Sequence, residues 1–192
     1  MINSVRNTVL SILNKNNYGY ISPADFNLFA KQAQLDIFED YFYQYNTQIN
    51  KENNRLGRLS GTGYADIKKG LEEVLDSFSV TAFLTRVNAN NYSLPLDYYL
   101  IDKVFYYPTQ LTSGTTISGV ADVQTQYVRY PQDPKWTFQT LTGGQPLFDQ
   151  SQADFQDFEL PLSDETDLVI SILKYAGLSI READIVQAAT TQ

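Results

Sequence analysis

The chain has 192 residues, 43% of them hydrophobic and 14% aromatic, with 14 Tyr, 11 Phe and a formal net charge of −8. It holds no Cys and no His, which excludes disulfides, thiolate nucleophiles, His-based triads and structural zinc, and leaves only all-oxygen metal sites of the calcium or magnesium type. The acidic balance argues against a packaging or sequence-reading role on nucleic acid, which needs a basic face, and suits a surface that DNA slides past.

In chain order, Ser4 or Asn3 is placed to cap a first helix, with Val5, Val9, Ile12 and Leu13 recurring at helical spacing. Asn16, Asn17 and Gly19 stop it. Ser22 as N-cap, Pro23 in the first turn and Asp25 at the third position launch a second helix running to about Gln48. Its apolar stripe is broad: Phe26, Phe29, Ala30, Ala33, Ile37, Phe38, Tyr41, Phe42 and Tyr45. Residues 50–63 read as a mobile, polar, glycine-bearing loop with Lys51, Arg55 and Arg58. A third helix is expected from Tyr64 to Phe78.

The pattern then changes, since six of the seven Pro lie between Pro95 and Pro161. Residues 79–87, 99–108 and 120–131 read as strands, with Trp136 to Thr140 and residues 155–161 as weaker ones. Helix returns after Ser163, read as an N-cap, with Asp164, Glu165 and Asp167 where the helix dipole favours acids. Gly177 reads as a C-cap, and Ser179 with Glu182 as a capping box for a short last helix at 180–189. The expected class is α+β: N-terminal helices, a central, mostly antiparallel sheet and a C-terminal helical hairpin. The expected division is 1–78 helical, 79–161 β-rich, and 162–192 helical, packing with 1–78 as one domain. No signal peptide and no membrane-spanning stretch is read from the chain.

Four stretches invite a chemical reading. Residues 14–25 overlay a calcium-binding EF-hand loop, with Gly19 at the sharp turn, Ile21 at the apolar position and Asp25 at the last ligand position. Yet Asn14, Asn16 and Tyr18 fall where charged or compact oxygen ligands belong, so the loop supplies a single carboxylate. A helix–helix corner needs the same Gly and the same Ser cap without an ion. Asp149, Asp154, Asp157, Glu159, Asp164, Glu165 and Asp167 form an acidic run that could hold magnesium or act as paired acids, or could be a solvated face. The basic loop could touch phosphates or order against a partner protein. "TGGQ" at 142–145 reads as a turn, since no strand-to-helix junction or Lys follows it. No catalytic, cofactor or metal residues are assigned from these.

Three longer segments carry a resemblance: "SVRNTVLSILNKNNYGYISPADFNLFAKQAQLDIFEDYF", "YSLPLDYYLIDKV" and "FELPLSDETDLVISILKYAGLSIREADIVQAA". Together they resemble the small virion structural proteins of short-tailed bacteriophages, particularly crAss-like phages, of the head–tail connector or tail-ring type. The resemblance implies a non-enzymatic subunit with a helical bundle and a β-domain. It would assemble head to tail into a homo-oligomeric ring, often of 12 copies, below the portal. Implied partners are further copies of itself, the portal protein and neighbouring tail rings, with DNA only as non-specific cargo in the lumen and no membrane. The implied location is the virion tail or connector, after assembly in the host cytoplasm. The chain departs from the simplest all-helical adaptors by carrying a middle sheet. The residues expected at subunit contacts are Tyr41, Tyr45, Lys51, Arg55, Arg58, Tyr98, Tyr106, Ile180 and Ile185. The competing reading is an EF-hand-like ion-sensing or peptide-binding module.

Overall fold

Ser22 shows how local chemistry sets the helical scaffold. Its Oγ accepts the Asp25 backbone N–H at 3.1 Å and donates to the Asp25 carboxylate at 2.6 Å, so cap and acid close on each other. The helix launched there, α2, runs from Pro23 to Asn53, five residues beyond the Gln48 that periodicity indicates. The computed structural model describes residues 1–15, 20–53, 64–88, 91–107 and 122–190; within these, the side chains of 15, 51–53, 64–68, 122 and 178–190 lie outside the description. Gly19 at the corner, Arg55, Arg58 and most of the 50–63 loop also lie outside it.

The other elements are α1 (Ile2–Lys15), α3 (Tyr64–Asp76), β1 (Ser79–Phe83), β2 (Thr85–Arg86), β3 (Tyr92–Ser93), β4 (Tyr98–Tyr107), β5 (Asp122–Arg129), β6 (Phe138–Thr140), β7 (Pro146–Phe148), a 3-10 turn (Leu162–Asp164) and α4 (Glu165–Thr190). The class is α+β, and every strand pairing is antiparallel: β1-β5-β4 in one sheet, with β2-β3 and β6-β7 as two small hairpin sheets.

Two compact units partition the chain. One comprises residues 1–44 and 131–192, the other residues 45–130, so the division falls inside α2 and not at the 78/79 and 161/162 junctions that composition suggests.

In the first unit, α1 contributes Ile2, Val5, Val9 and Leu13, α2 contributes Phe26, Ala30, Ala33 and Phe38, and α4 contributes Leu168, Val169, Ile172 and Ala176 to one buried core. Most of these positions keep the three- and four-residue spacing of an apolar helix face, and α1 packs on α4. The segment 131–161, expected to belong to a central sheet, instead straps across α1 and α2. Only the β6–β7 hairpin and an isolated Lys135–Gln156 bridge give it ladder bonds. Its other polar groups are met by side chains. Gln34 on α2 is buried and holds both legs of the strap, donating to the Gln132 carbonyl at 2.8 Å and accepting from the Glu159 N–H at 3.0 Å. Asn27 brackets the Trp136 backbone in the same way, accepting from its N–H at 2.9 Å and donating to its carbonyl at 3.2 Å. A side-chain amide carries both a donor and an acceptor, so it can replace one rung of a missing strand partner.

Trp136 is the hub of this unit. Its indole N–H donates to Asn3 at 3.1 Å, its ring stacks near Phe138 and Phe148, and the Arg6 guanidinium lies 3.8 Å from its centroid. Arg6 is itself buried, and desolvation lowers its pKa against an opposing interaction with Tyr20. A cation over an indole face recovers part of that burial cost.

The C-terminal segment is one 26-residue helix, so the expected hairpin is corrected. Gly177 does not cap it. Glycine costs about 1 kcal/mol inside a helix without breaking it, and the apolar residues on either side propagate well. Ser163 is not the cap either: the chain enters α4 through the 3-10 turn, and Ser163 Oγ donates to Asp164 at 2.9 Å.

The second unit buries Leu71, Leu75 and Phe78 from α3 and its exit together with Val123, Thr125 and Tyr127 from β5. The stretch read as one strand over 79–87 is broken at Leu84 into β1 and β2. The "LPLD" turn works through Asp97. Its carboxylate accepts the Tyr127 hydroxyl at 3.1 Å, and its carbonyl accepts the Tyr130 N–H at 2.8 Å.

Candidate interaction surfaces

The acidic run does not converge on one point. Asp154 pairs with Lys135, Asp149 takes Ser151 and Gln139, and the Glu159 carboxylate accepts the Gln132 N–H at 2.8 Å. Asp157 accepts from the N-terminal ammonium at 2.9 Å and from the N–H groups of Ile2 at 2.7 Å and Phe158 at 2.8 Å. Burial would raise the Asp157 pKa, but these three donors prevail and hold it below the ordinary carboxylate value. The acids thus mostly fasten the strap to itself, and Asp157 fastens it to the start of α1. Among the described residues, no group of three or more acids is arranged to hold a metal ion.

A groove of about 470 Å³ in the first unit is lined by Asp36, Asp40, Tyr41 and Gln44 of α2 and by Asp164, Asp167 and Lys174. Phenol–carboxylate bonds engage two of its acids. Tyr41 donates to Asp164 at 2.5 Å, and Tyr175 donates to Asp36. Burial, reinforced by Asp164, pushes the Tyr41 phenol well above its usual pKa. Tyr41, expected at a subunit contact, is therefore half-buried and bonded inside its own chain.

In the second unit, Tyr45 donates to Glu72 at 3.2 Å. Lys51 lies near the end of α2, while Ile180 and Ile185 lie on the distal half of α4; their side chains are outside the described residues. Tyr98 and Tyr106 sit at opposite ends of β4 and are 42% and 63% exposed.

β4, the strand of Tyr98 and Tyr106, offers the most open surface of the second unit among the described residues. It is ten residues long and lies at the edge of its sheet. Leu100, Ile101, Val104, Phe105 and Tyr107 are exposed together with the two flanking tyrosines. Both faces of the strand are therefore apolar and open, whereas buried residues alternate along its neighbour β5 at Val123, Thr125 and Tyr127. The missing alternation was visible in "YYLIDKVFYY". A run without period 2 belongs to a strand covered on both faces or on neither.

Two smaller features agree with the sequence. The 142–145 turn closes β6–β7, with Gly144 at φ 79°, a conformation open to glycine at no steric cost. No described helix is long and apolar enough to cross a membrane. Compared with known proteins, the chain matches no protein-family profile and no curated protein.

Proposed function

We propose that this chain is a structural assembly subunit acting through protein–protein contacts, of the head–tail connector or tail-ring type found in short-tailed phages. In this reading, copies pack head to tail, close into a ring of about 12 below the portal by heterologous contacts, and form part of the wall past which DNA moves. The ring would form in the host cytoplasm and remain in the virion tail. The observation that carries the reading is β4, an edge strand with apolar side chains exposed on both faces. Long, apolar edges invite pairing with another chain, and proteins that work alone blunt them. The net charge of −8 suits a lumen that must release DNA. The engagement of most of the acidic run in loop anchoring further favours architecture over acid–base chemistry.

Native mass spectrometry of the purified chain, with and without its portal protein, tests the proposal. A closed cyclic oligomer, alone or on the portal, is the expected result. A chain that stays monomeric and ignores the portal would overturn it.

A further inference from the structure

The sequence of β4, "YYLIDKVFYY", is a chemical palindrome. Read from either end, it runs two tyrosines, two apolar residues and a charge, and the two central charges, Asp102 and Lys103, are opposite in sign. We propose that β4 is a self-recognition edge, pairing antiparallel with the β4 of a second copy about a two-fold axis between Asp102 and Lys103. The proposal differs from the ring reading in how it uses this edge: an isologous β4 contact closes at two copies and occupies the edge, so heterologous ring contacts would have to be made by other surfaces.

In that register the six central residues face their chemical counterparts. Asp102 meets the second copy's Lys103, Ile101 meets Val104 and Leu100 meets Phe105, with tyrosines flanking them at either end. Opposite-charge and aromatic cross-strand pairs each contribute favourably, while like charges directly opposed do the reverse. Asp102 and Lys103 are half or more exposed and lie 3.7 Å apart within the chain. Pairing would complete an alternating four-charge cluster at the axis.

A two-fold normal to a sheet places opposed residues on the same face, and in a regular strand residues an odd number apart lie on opposite faces. Ile101 and Val104, or Leu100 and Phe105, would then clash in phase. β4 is not regular. Ile101 lies opposite Tyr127 of β5 and Lys103 opposite Gln126, so Asp102 is an extra residue, a bulge. The bulge puts Ile101 and Val104 on one face, opposite Tyr127 and Thr125, and Leu100 and Phe105 on the other, opposite Val128 and Gln124. The irregularity at the palindrome's centre is what makes an even-length palindrome compatible with a two-fold. A second extra residue at Tyr99 ends the regular stretch, leaving tyrosines to flank the ladder.

Charge reversal tests this in the full-length chain by sedimentation equilibrium at low salt. The wild type should dimerise. D102K and K103D should each weaken the dimer by about tenfold, because both axial pairs become like-charged. The double swap D102K/K103D should restore it, and an equimolar mixture of the two single variants should form the heterodimer. The chain has no Cys, so register is tested separately. I101C mixed with V104C should give a mixed disulfide in clear excess over either self-linked product. A wild type that is monomeric up to about 100 µM, a range in which even weak association is detected, would overturn the proposal. So would a dimer indifferent to the charge swaps, or crosslinking without preference for the mixed pair.

Discussion

The strap at 131–161 and the strand β4 are both rich in aromatic residues, yet they put them to opposite use. Trp136 is 2% exposed and Phe158 is 7% exposed, while Tyr106 is 63% exposed. Trp136 and Phe158 of the strap are inside, where α1 and α2 present matching polar groups to the segment that carries them. Asn3, Asn27 and Gln34 satisfy the indole and the backbone of a segment that has few strand neighbours. β4 has a full ladder on one side with β5, but no described element lies beyond its other edge or over its side chains. Aromatic content alone therefore does not separate core from surface. The decisive factor is whether a neighbouring element supplies both apolar cover and hydrogen-bond partners.

The contrast can be tested by substitution. Trp136→Ala removes the hub of the first unit and should cost about 3–5 kcal/mol, as large buried aromatics do, seen as a lower urea midpoint. Gln34→Leu keeps the volume but strands the Gln132 carbonyl and the Glu159 N–H. A loss of about 2 kcal/mol is expected, with faster amide exchange at Glu159. Loss near zero would mean that the strap is held by its apolar contacts alone.

Acid separates one charged fastening of the strap, Asp157, from its neutral ones. Asp157 has a folded pKa below its unfolded value of about 3.9, so its contribution is fully present above that pH and is lost as pH falls through the folded value. Urea midpoints between pH 6 and pH 2 should fall more steeply for the wild type than for Asp157→Asn. Equal slopes would show that the carboxylate contributes nothing through its charge.

Ser22→Ala removes the α2 cap and should cost about 1 kcal/mol by the same denaturation measurement. The smallest effect is expected on the other side of the contrast. Tyr106→Ser should change the stability of the isolated chain by no more than about 0.5 kcal/mol, as for exposed positions generally. A loss comparable to that of Trp136→Ala would show that β4 is covered within its own chain.

Much of this was legible from local patterns. Ser22, Pro23 and Asp25 specified the start of α2, because capping chemistry acts within one turn. Val5, Val9, Phe26, Ala30, Leu168 and Ile172 marked their buried faces by spacing, and residues 99–108 and 120–131 announced strands through β-branched and aromatic content, found at 98–107 and 122–129. Gly144 and its turn were legible for the same reason: backbone conformation there is a property of a few adjacent residues. Tertiary structure decided what depends on distant partners. Gln34 and Asn27 look like ordinary surface amides until the strap arrives about a hundred residues later in the chain to use them. Asp157 reads as one acid in a solvated run until Met1 and Ile2 meet it. Gly177 reads as a stop, but its cost inside a helix is smaller than what α4 gains by continuing. In β4 the residues and their palindromic order are plain in the sequence, whereas the bulge at Asp102 that sets their faces comes from pairing with β5, a contact made across the sheet and not along the chain.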